Sequence, residues 1–184
     1  MITNIYFIRH AESPFIFGKE KERPLSEKGF KDAKTIADKL SHIHFDQFIS
    51  SSYNRAIQTV EPLANGAPIK LYKELREKTL KGAYKSSEEE IENAIEMSLE
   101  DHEFKLEGGE TTKEVLERSI PVIESILQDE TLKTVAIGTH GNIMTIIMNY
   151  YRPEIGYEFW KSTTKPDVYQ CTFEGSKLKE ITRI

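Results

Sequence analysis

The sequence predicts an α/β fold, a three-layer sandwich in which helices cover both faces of a mostly parallel central sheet. Short apolar segments alternate with segments whose apolar residues recur at helical spacing, as expected of parallel strands joined by helical crossovers. The last two apolar segments, 168–173 and 178–184, flank Glu174-Gly175-Ser176 and predict a hairpin. We therefore expect one antiparallel edge strand, together with a helical excursion over the functional site.

The first part of the chain predicts three strands and two helices. Residues 2–8 are apolar, β-branched and aromatic, which is typical of a buried strand. Ser26 is a suitable N-cap for the helical pattern that follows it. In chain order the predicted elements are a strand at 2–8, a helix at 27–40, a strand at 45–51, a helix at 53–63 and a strand at 69–75.

The second part begins with an acidic helix. Ser86 and the glutamates after it supply a cap and a first-turn negative charge, which the helix dipole favours. A further helix at 110–127 contains Pro121, which predicts a kink or a break. A strongly apolar strand at 134–139 then leads into an apolar helix that ends at Tyr150.

Length and composition indicate one globular domain, 1–184, with a cap-like excursion at about 78–109. The 30 acidic and 25 basic residues give a formal charge of −5, which argues against a nucleic-acid or anionic-membrane partner. The single Cys171 fits a reducing compartment. No segment approaches the roughly 20 apolar residues of a membrane span, and the N-terminus does not resemble a signal peptide, so we expect a cytoplasmic protein. The oligomeric state stays open.

Three predicted strands end in polar residues that could form one site. The first ends in Arg9-His10, the second leads through three serines to Arg55, and the 134–139 strand ends in His140-Gly141-Asn142. In open α/β sheets, ligands bind beyond the carboxyl ends of the strands. A lone histidine is more often structural, and an arginine early in a helix is usually solvated. Their shared topological position is what predicts a common crevice.

These residue types suit phosphoryl transfer. The transferred group spreads negative charge over three oxygens, which the planar fork of arginine neutralises with paired hydrogen bonds. Neutral imidazole is a good nucleophile at phosphorus near pH 7 if its other nitrogen is held as a donor. The backbone N–H groups that follow His140 at the start of a helix would add a site for anions.

Six segments together resemble the histidine phosphatase superfamily, the phosphoglycerate-mutase-like group, in the order found in that family. They cover the chain from residue 7 to about 142. The segments are Arg9-His10-Ala11-Glu12-Ser13, Pro24-Leu25-Ser26-Glu27-Lys28-Gly29, Ser51-Ser52-Tyr53-Asn54-Arg55-Ala56-Ile57-Gln58-Thr59, Leu75-Arg76-Glu77, Gly108-Gly109-Glu110-Thr111 and Thr139-His140-Gly141-Asn142.

The resemblance implies a phosphatase that needs neither a metal nor another cofactor and acts on a small-molecule phosphate ester. It implies that His10 is the nucleophile that becomes phosphohistidine, and that Arg9, Arg55 and His140 hold the phosphoryl oxygens. Glu77 would be the general acid and base. We expect Ser13, Gly141 and Asn142 to complete the substrate-binding residues.

The sequence departs from the family pattern at a few positions. The family often has an asparagine six residues after the nucleophile, where this chain has Ile16, so one phosphate donor would be missing unless Ser13 compensates. Ala11 replaces the usual glycine, and Tyr53 replaces a proline. Glu74 is a competing acid, which strand alternation would place on the face opposite to Glu77.

Two other functions stay open. A cofactor-dependent phosphoglycerate mutase would use the same phosphohistidine, although such mutases tend to be longer and to carry an Arg-Tyr-like stretch after the acid, where this chain has Lys78-Thr79-Leu80. A non-catalytic phospho-ligand sensor is disfavoured because both His10 and Glu77 are present.

His42 and His44 could share a strand face, but no carboxylate or thiol cluster accompanies them as in a metal site. Five aromatic residues could either line a substrate pocket or pack in the core. They are Phe15, Phe17, Tyr84, Tyr157 and Trp160.

Overall fold

The computed structural model describes residues 1–184 and contains six strands and six α-helices. The strands are β1 (Ile2–Arg9), β2 (Gln47–Ser51), β3 (Ile69–Tyr72), β4 (Thr134–Thr139), β5 (Asp167–Glu174) and β6 (Lys177–Arg183). The helices are α1 (Glu27–Leu40), α2 (Asn54–Ala64), α3 (Glu88–Glu100), α4 (Thr112–Gln128), α5 (Gly141–Tyr151) and α6 (Tyr157–Ser162). A single 3-10 turn, Lys73–Leu75, follows β3.

The strands form one sheet in the order β3-β2-β4-β1-β5-β6. The first four of these run parallel to one another, whereas β5 pairs antiparallel with both β1 and β6. The mostly parallel sheet with an antiparallel hairpin at one edge is therefore confirmed. Because β1, β2 and β4 are parallel neighbours, their carboxyl ends lie side by side at one edge of the sheet.

The central strand β1 shows why the fold has three layers. Its alternate residues point to opposite faces of the sheet. Ile5 and Phe7 join the main apolar core, to which α3, α4 and α5 contribute. Tyr6 and Ile8 join a second core on the other face, with Leu40 of α1 and Val60 of α2 as partners in it. Both faces of the sheet are thus covered by helices, as a buried parallel sheet requires.

Side-chain caps set several helix starts. Ser26 accepts a hydrogen bond from the N–H of Gly29, which confirms the predicted start of α1. The acidic helix α3 starts one residue later than predicted, because Ser87 forms the capping box with Glu90. In α4, Thr111 forms a second capping box.

A kink or a break was expected at Pro121, and the break is wrong because α4 runs uninterrupted from Thr112 to Gln128. Pro121 is exposed, while its neighbours Ile120, Val122 and Ile123 are buried in the core. Packing of these side chains offsets the backbone hydrogen bond that proline cannot donate.

The acidic segment packs closely on the rest of the chain. Ile95 and Leu99 of α3 are part of the main core. Glu92 accepts one hydrogen bond from Tyr157 and pairs with Lys161 of α6. The cap-like role of 78–109 within a single domain stays a prediction. None of the helices is both long enough and apolar enough to cross a membrane.

Candidate active site

The polar strand ends meet at one edge of the sheet. The backbone N–H of His10 donates to the carbonyl of Thr139 at 3.0 Å, which places the ends of β1 and β4 together. The His10 and His140 rings lie 5.3 Å apart between centroids. Arg55 follows β2, the other neighbour of β4, in the first turn of α2. The structure therefore gathers these residues into one crevice.

His10 is held in a defined tautomer. Its ring is only 4% exposed, and Nδ1 lies 2.7 Å from the carbonyl oxygen of Ala11. Because a carbonyl oxygen can only accept, Nδ1 carries the hydrogen and Nε2 carries the lone pair. Burial lowers the pKa of His10 well below its usual value, and the nearby charge of Arg55 lowers it further, with a smaller contribution from Arg9. His10 therefore presents a neutral, oriented Nε2 lone pair at pH 7.

Arg9 is fixed between a glycine and a threonine. Its Nη1 donates to Thr163 Oγ1. A Cβ atom on Gly141 would lie 2.6 Å from Arg9 Cζ and 2.9 Å from its Nε, so only glycine leaves room for the guanidinium. Gly141 thus acts by allowing Arg9 its position beside His10.

Arg55 is held by the loop that precedes α1. Its side chain is almost fully buried, and Nη1 donates to the main-chain carbonyl of Glu20 while Nη2 donates to the Glu20 carboxylate at 3.1 Å. Burial lowers the pKa of Arg55, and the charge of Arg23 lowers it further. A guanidinium stays protonated even so, because its ordinary pKa lies far above neutral pH.

Unpaired buried polar atoms are concentrated in this crevice. Six buried side-chain nitrogen or oxygen atoms lack a hydrogen-bond partner, and four of them belong to the gathered residues. These four are Arg9 Nε, Arg55 Nε, His140 Nδ1 and Asn142 Oδ1. Native proteins rarely leave such atoms unpaired, so their clustering indicates a polar ligand site. Two of the four atoms are guanidinium donors, which favours an anionic ligand.

His140 is fully buried beside His10. Its Nε2 lies 2.7 Å from Ser51 Oγ, which orients the ring. Burial lowers the pKa of His140 well below its usual value, with Arg55 the next cause. A neutral His140 can share a hydrogen with a phosphoryl oxygen without adding a further charge to the site.

Glu77 reaches the same site from the loop after the 3-10 turn. Its Oε2 accepts from the backbone N–H of Asn142 at 3.1 Å, and its Oε1 accepts from that of Ile143 at 2.9 Å and from that of Lys78 at 2.8 Å. The start of α5 therefore holds the Glu77 carboxylate. The sequence predicted that the backbone N–H groups after His140 bind the substrate anion. This prediction is wrong for Asn142 and Ile143, because their N–H groups donate to Glu77.

The prediction that strand alternation places Glu74 and Glu77 on opposite faces is wrong. The strand β3 ends at Tyr72, so strand alternation does not reach either glutamate, and Glu74 lies in the 3-10 turn. What separates the two acids is contact: Glu77 binds the start of α5 beside His140, whereas Glu74 offers its main-chain carbonyl to Arg118.

An ion pair braces the segment that carries Glu77. Arg118 donates to both carboxylate oxygens of Glu110, at 2.9 and 3.0 Å, and also to the main-chain carbonyls of Glu74, Arg76 and Glu77. Glu110 accepts from the N–H of Thr79 at 2.8 Å. The hydrogen bonds and charge of Arg118 outweigh burial and lower the pKa of Glu110. Sequence motifs pointed to Glu110, but no signal pointed to Arg118.

A family model for the histidine phosphatase superfamily (branch 1) matches residues 5–178. The chain belongs to the histidine phosphatase superfamily. The match covers nearly the whole chain and confirms the resemblance drawn from the motifs.

The chain is similar to individual phosphatases, and its fold is similar to that of a mutase. Phosphoserine phosphatase 1 of Hydrogenobacter thermophilus is 27% identical over 151 residues, which cover 76% of this chain and 71% of that protein. The solved structure of mycobacterial glucosyl-3-phosphoglycerate phosphatase has a TM-score of 0.76 at 20% identity, over 100% of this chain and 97% of that one. Phosphoglycerate mutase from Bacillus anthracis has a TM-score of 0.75 at 18% identity, over 100% and 92%. At these identities the solved structures show the shared fold.

Arg23 is a further basic residue beside Arg55, and no sequence signal pointed to it. Its Nη1 donates to Ser13 Oγ at 2.8 Å and to the Ser13 carbonyl at 2.7 Å, and its Nε donates to Glu20 at 3.2 Å. Ser13 Oγ itself donates to the Pro24 carbonyl, so the idea that Ser13 replaces the missing asparagine was wrong. Ile16 is exposed, and the additional donor beside Arg55 is the guanidinium of Arg23.

The other candidate features have ordinary surroundings. Phe15, Phe17 and Tyr84 are exposed, whereas Tyr157 and Trp160 stack on each other and pack against the main core. His42 and His44 are both exposed. Cys171 is buried in β5, and burial raises the pKa of its thiol to about 12, so it is unreactive near pH 7.

Proposed function

We propose that this protein is a phosphatase that hydrolyses small-molecule phosphomonoesters through a phosphohistidine on His10. The observation that carries the proposal is the His10 ring, which the Ala11 carbonyl holds with its Nε2 lone pair free beside two buried arginines. A neutral imidazole with a fixed lone pair, next to cations that can hold a phosphoryl group, is what nucleophilic attack at phosphorus needs.

In the first step, His10 Nε2 attacks the phosphorus and the bond to the ester oxygen breaks. The protonated carboxyl of Glu77 gives its hydrogen to the departing oxygen, so the alcohol leaves neutral. Arg9 and Arg55 neutralise the three phosphoryl oxygens, since their Nε atoms have no partner within the protein.

In the second step, a water molecule attacks the phosphorus and the bond to Nε2 breaks. The Glu77 carboxylate takes a proton from that water, which restores the acid for the next cycle. The products are inorganic phosphate and neutral His10. The backbone hydrogen bonds to the Glu77 carboxylate keep it oriented in both steps.

No step of this scheme needs a metal ion. The charge on the phosphoryl group is balanced by guanidinium groups, which have no lone pair with which to bind a metal. We therefore propose that the activity persists in EDTA. The small substrate class and the cytoplasmic location expected from the sequence complete the proposal.

A mutase reaction would begin with the same phosphohistidine and end with transfer to a second hydroxyl group. A sensor would bind phosphate without turnover. The segment after Glu77 favours hydrolysis over mutase activity, because Lys78 is buried against Thr112 and points into the core rather than toward a substrate.

The test measures release of p-nitrophenol and inorganic phosphate from p-nitrophenyl phosphate and from a panel of metabolite phosphates, with EDTA present. Phosphoserine belongs in the panel because a relative carries that substrate in its name. We expect turnover that His10→Ala abolishes and that His42→Ala, the same change at an exposed histidine, leaves intact. Bisphosphate-dependent exchange between 2- and 3-phosphoglycerate would favour the mutase instead. Tight phosphate binding with no turnover would favour the sensor, and a strict need for a divalent metal would contradict the mechanism.

A further inference from the structure

Lys165 lies at the edge of the His10 site and has no assigned role. It belongs to the loop that joins α6 to β5. Two residues before it, Thr163 accepts a hydrogen bond from Arg9, and two residues after it, Asp167 is opposite Arg9 in the strand register. Both flanks of Lys165 are thus fixed against Arg9, which places the lysine beside the phosphoryl-binding residues.

Among the basic residues around the site (Arg9, Arg23, Arg55 and Lys165), only the side chain of Lys165 has no partner in the protein. Arg55 and Arg23 both pair with Glu20, at 3.1 and 3.2 Å. Asp167, the acid nearest along the chain, is occupied by Arg183 at 2.9 Å and by the Tyr169 hydroxyl at 3.0 Å. Lys165 takes part in none of the hydrogen bonds or ion pairs of the structure.

The charges of the site residues act on Lys165. Partial burial lowers the pKa of Lys165, and Arg9, Arg23 and Arg55 each lower it further, while Glu77 opposes them. The charge of Lys165 in turn lowers the pKa of His10. Together with the two flanks fixed against Arg9, these mutual effects place Lys165 at the border of the His10 site.

The Lys165 side chain can reach a ligand bound at the site. Lysine has a flexible four-carbon stem, and the residue is exposed. A further anion on a ligand held by Arg9 would be attracted to the Lys165 charge.

We propose that Lys165 forms a second anion subsite, so that the preferred substrate is a phosphomonoester whose leaving group carries a further carboxylate or phosphate. The proposal rests on the phosphatase activity proposed above. It adds that Arg9 and Arg55 hold the transferred phosphoryl group, whereas Lys165 binds the second anion and selects the leaving group.

The test compares substrates that differ in one anionic group. Phosphoserine and phosphoethanolamine differ only in a carboxylate, and fructose 1,6-bisphosphate differs from fructose 6-phosphate in a second phosphate. We expect the wild-type protein to have a higher kcat/KM for the more anionic member of at least one pair. A preference in the first pair would show that the subsite binds a carboxylate, and a preference in the second would show that it binds a phosphate. Lys165→Met should lower kcat/KM for the more anionic substrate about 10- to 100-fold, as expected for the loss of one charge-assisted hydrogen bond. It should change kcat/KM for the less anionic substrate of the same pair by less than about twofold. Lys165→Arg should restore part of the preference.

Lys161→Met is the matched control, because it removes the same charge from the neighbouring helix, where Lys161 pairs with Glu92. It should leave the preference unchanged. Equal losses on both members of a pair in Lys165→Met, or no preference in the wild-type protein, would overturn the subsite. If no substrate is turned over, the proposed phosphatase function is refuted, but the subsite is not yet tested. Calorimetric binding of the same pairs to the wild-type and Lys165→Met proteins then decides the subsite separately.

Discussion

Gly141→Ala should separate catalysis from folding in this protein. The added Cβ would lie 2.6 Å from Arg9 Cζ and 2.7 Å from Nη2, whereas carbon atoms in ordinary contact are about 3.5 to 4.0 Å apart. The guanidinium must therefore move by about 1 Å, and a misplacement of that size costs on the order of 100-fold in rate when the group positions the reacting atoms.

Folding should tolerate the same change. The atoms that clash belong to the end of a flexible side chain, so Arg9 can move without displacing the backbone. Residue 141 is also the first residue of α5, where alanine is a better helix former than glycine by up to about 1 kcal/mol. We expect the free energy of unfolding to change by less than about 1 kcal/mol.

The assay measures kcat/KM for p-nitrophenyl phosphate and the urea midpoint on the same preparations. Gly156→Ala is the control, since a Cβ there would meet no atom within 4 Å. We expect kcat/KM to fall about 100-fold in Gly141→Ala and to stay unchanged in Gly156→Ala. The urea midpoints of both variants should lie near that of the wild-type protein. Wild-type kcat/KM in Gly141→Ala would refute the placement of Arg9 as a phosphate-binding residue.

Three further predictions concern titratable groups. Glu77→Gln should lower kcat/KM, which reports the first step, about 10²- to 10⁴-fold for alkyl phosphates and lower it less for p-nitrophenyl phosphate, whose leaving group needs no proton; equal losses in kcat/KM would contradict the role of general acid. Since burial lowers the pKa of His10, kcat/KM should hold between pH 6.5 and 5.5, where an ordinary imidazole would lose about fivefold. Burial lowers the pKa of Lys78 to about 8, so the folded state loses this proton before the unfolded state does. The contribution of Lys78 to the free energy of unfolding should therefore rise by up to about 3 kcal/mol between pH 8 and 10.5. Lys78→Met should raise the urea midpoint at pH 7, because it removes a buried charge. An unchanged midpoint would contradict the cost of burying that charge.

The parts of the fold with local signals were predictable. The helix α1 has a serine cap and apolar residues at helical spacing, and its predicted bounds agree with those observed. The terminal hairpin has a turn at Gly175 between two apolar strands. The meeting of Arg9, His10 and His140 also followed from the sequence, because parallel neighbouring strands bring their ends to one edge.

The contacts that orient the site could not be predicted in the same way. Glu77 binds the N–H groups of Asn142 and Ile143 across 65 and 66 residues, through a loop with no periodic pattern. Arg23 and Lys165 lie in irregular loops, where a single basic residue looks the same whether it faces solvent or a site. Their positions depend on how the loops pack over the sheet edge, which local propensity does not encode.

A phosphoryl group trapped on the protein tests the central claim most directly. The protein would be mixed with ³²P-labelled substrate, quenched in alkali within milliseconds and digested, and the labelled peptide sequenced. We expect a label that is stable in base and lost in acid, located on His10 and absent from His10→Ala. Undiminished turnover by His10→Ala, or a label on any other residue, would contradict the phosphohistidine mechanism.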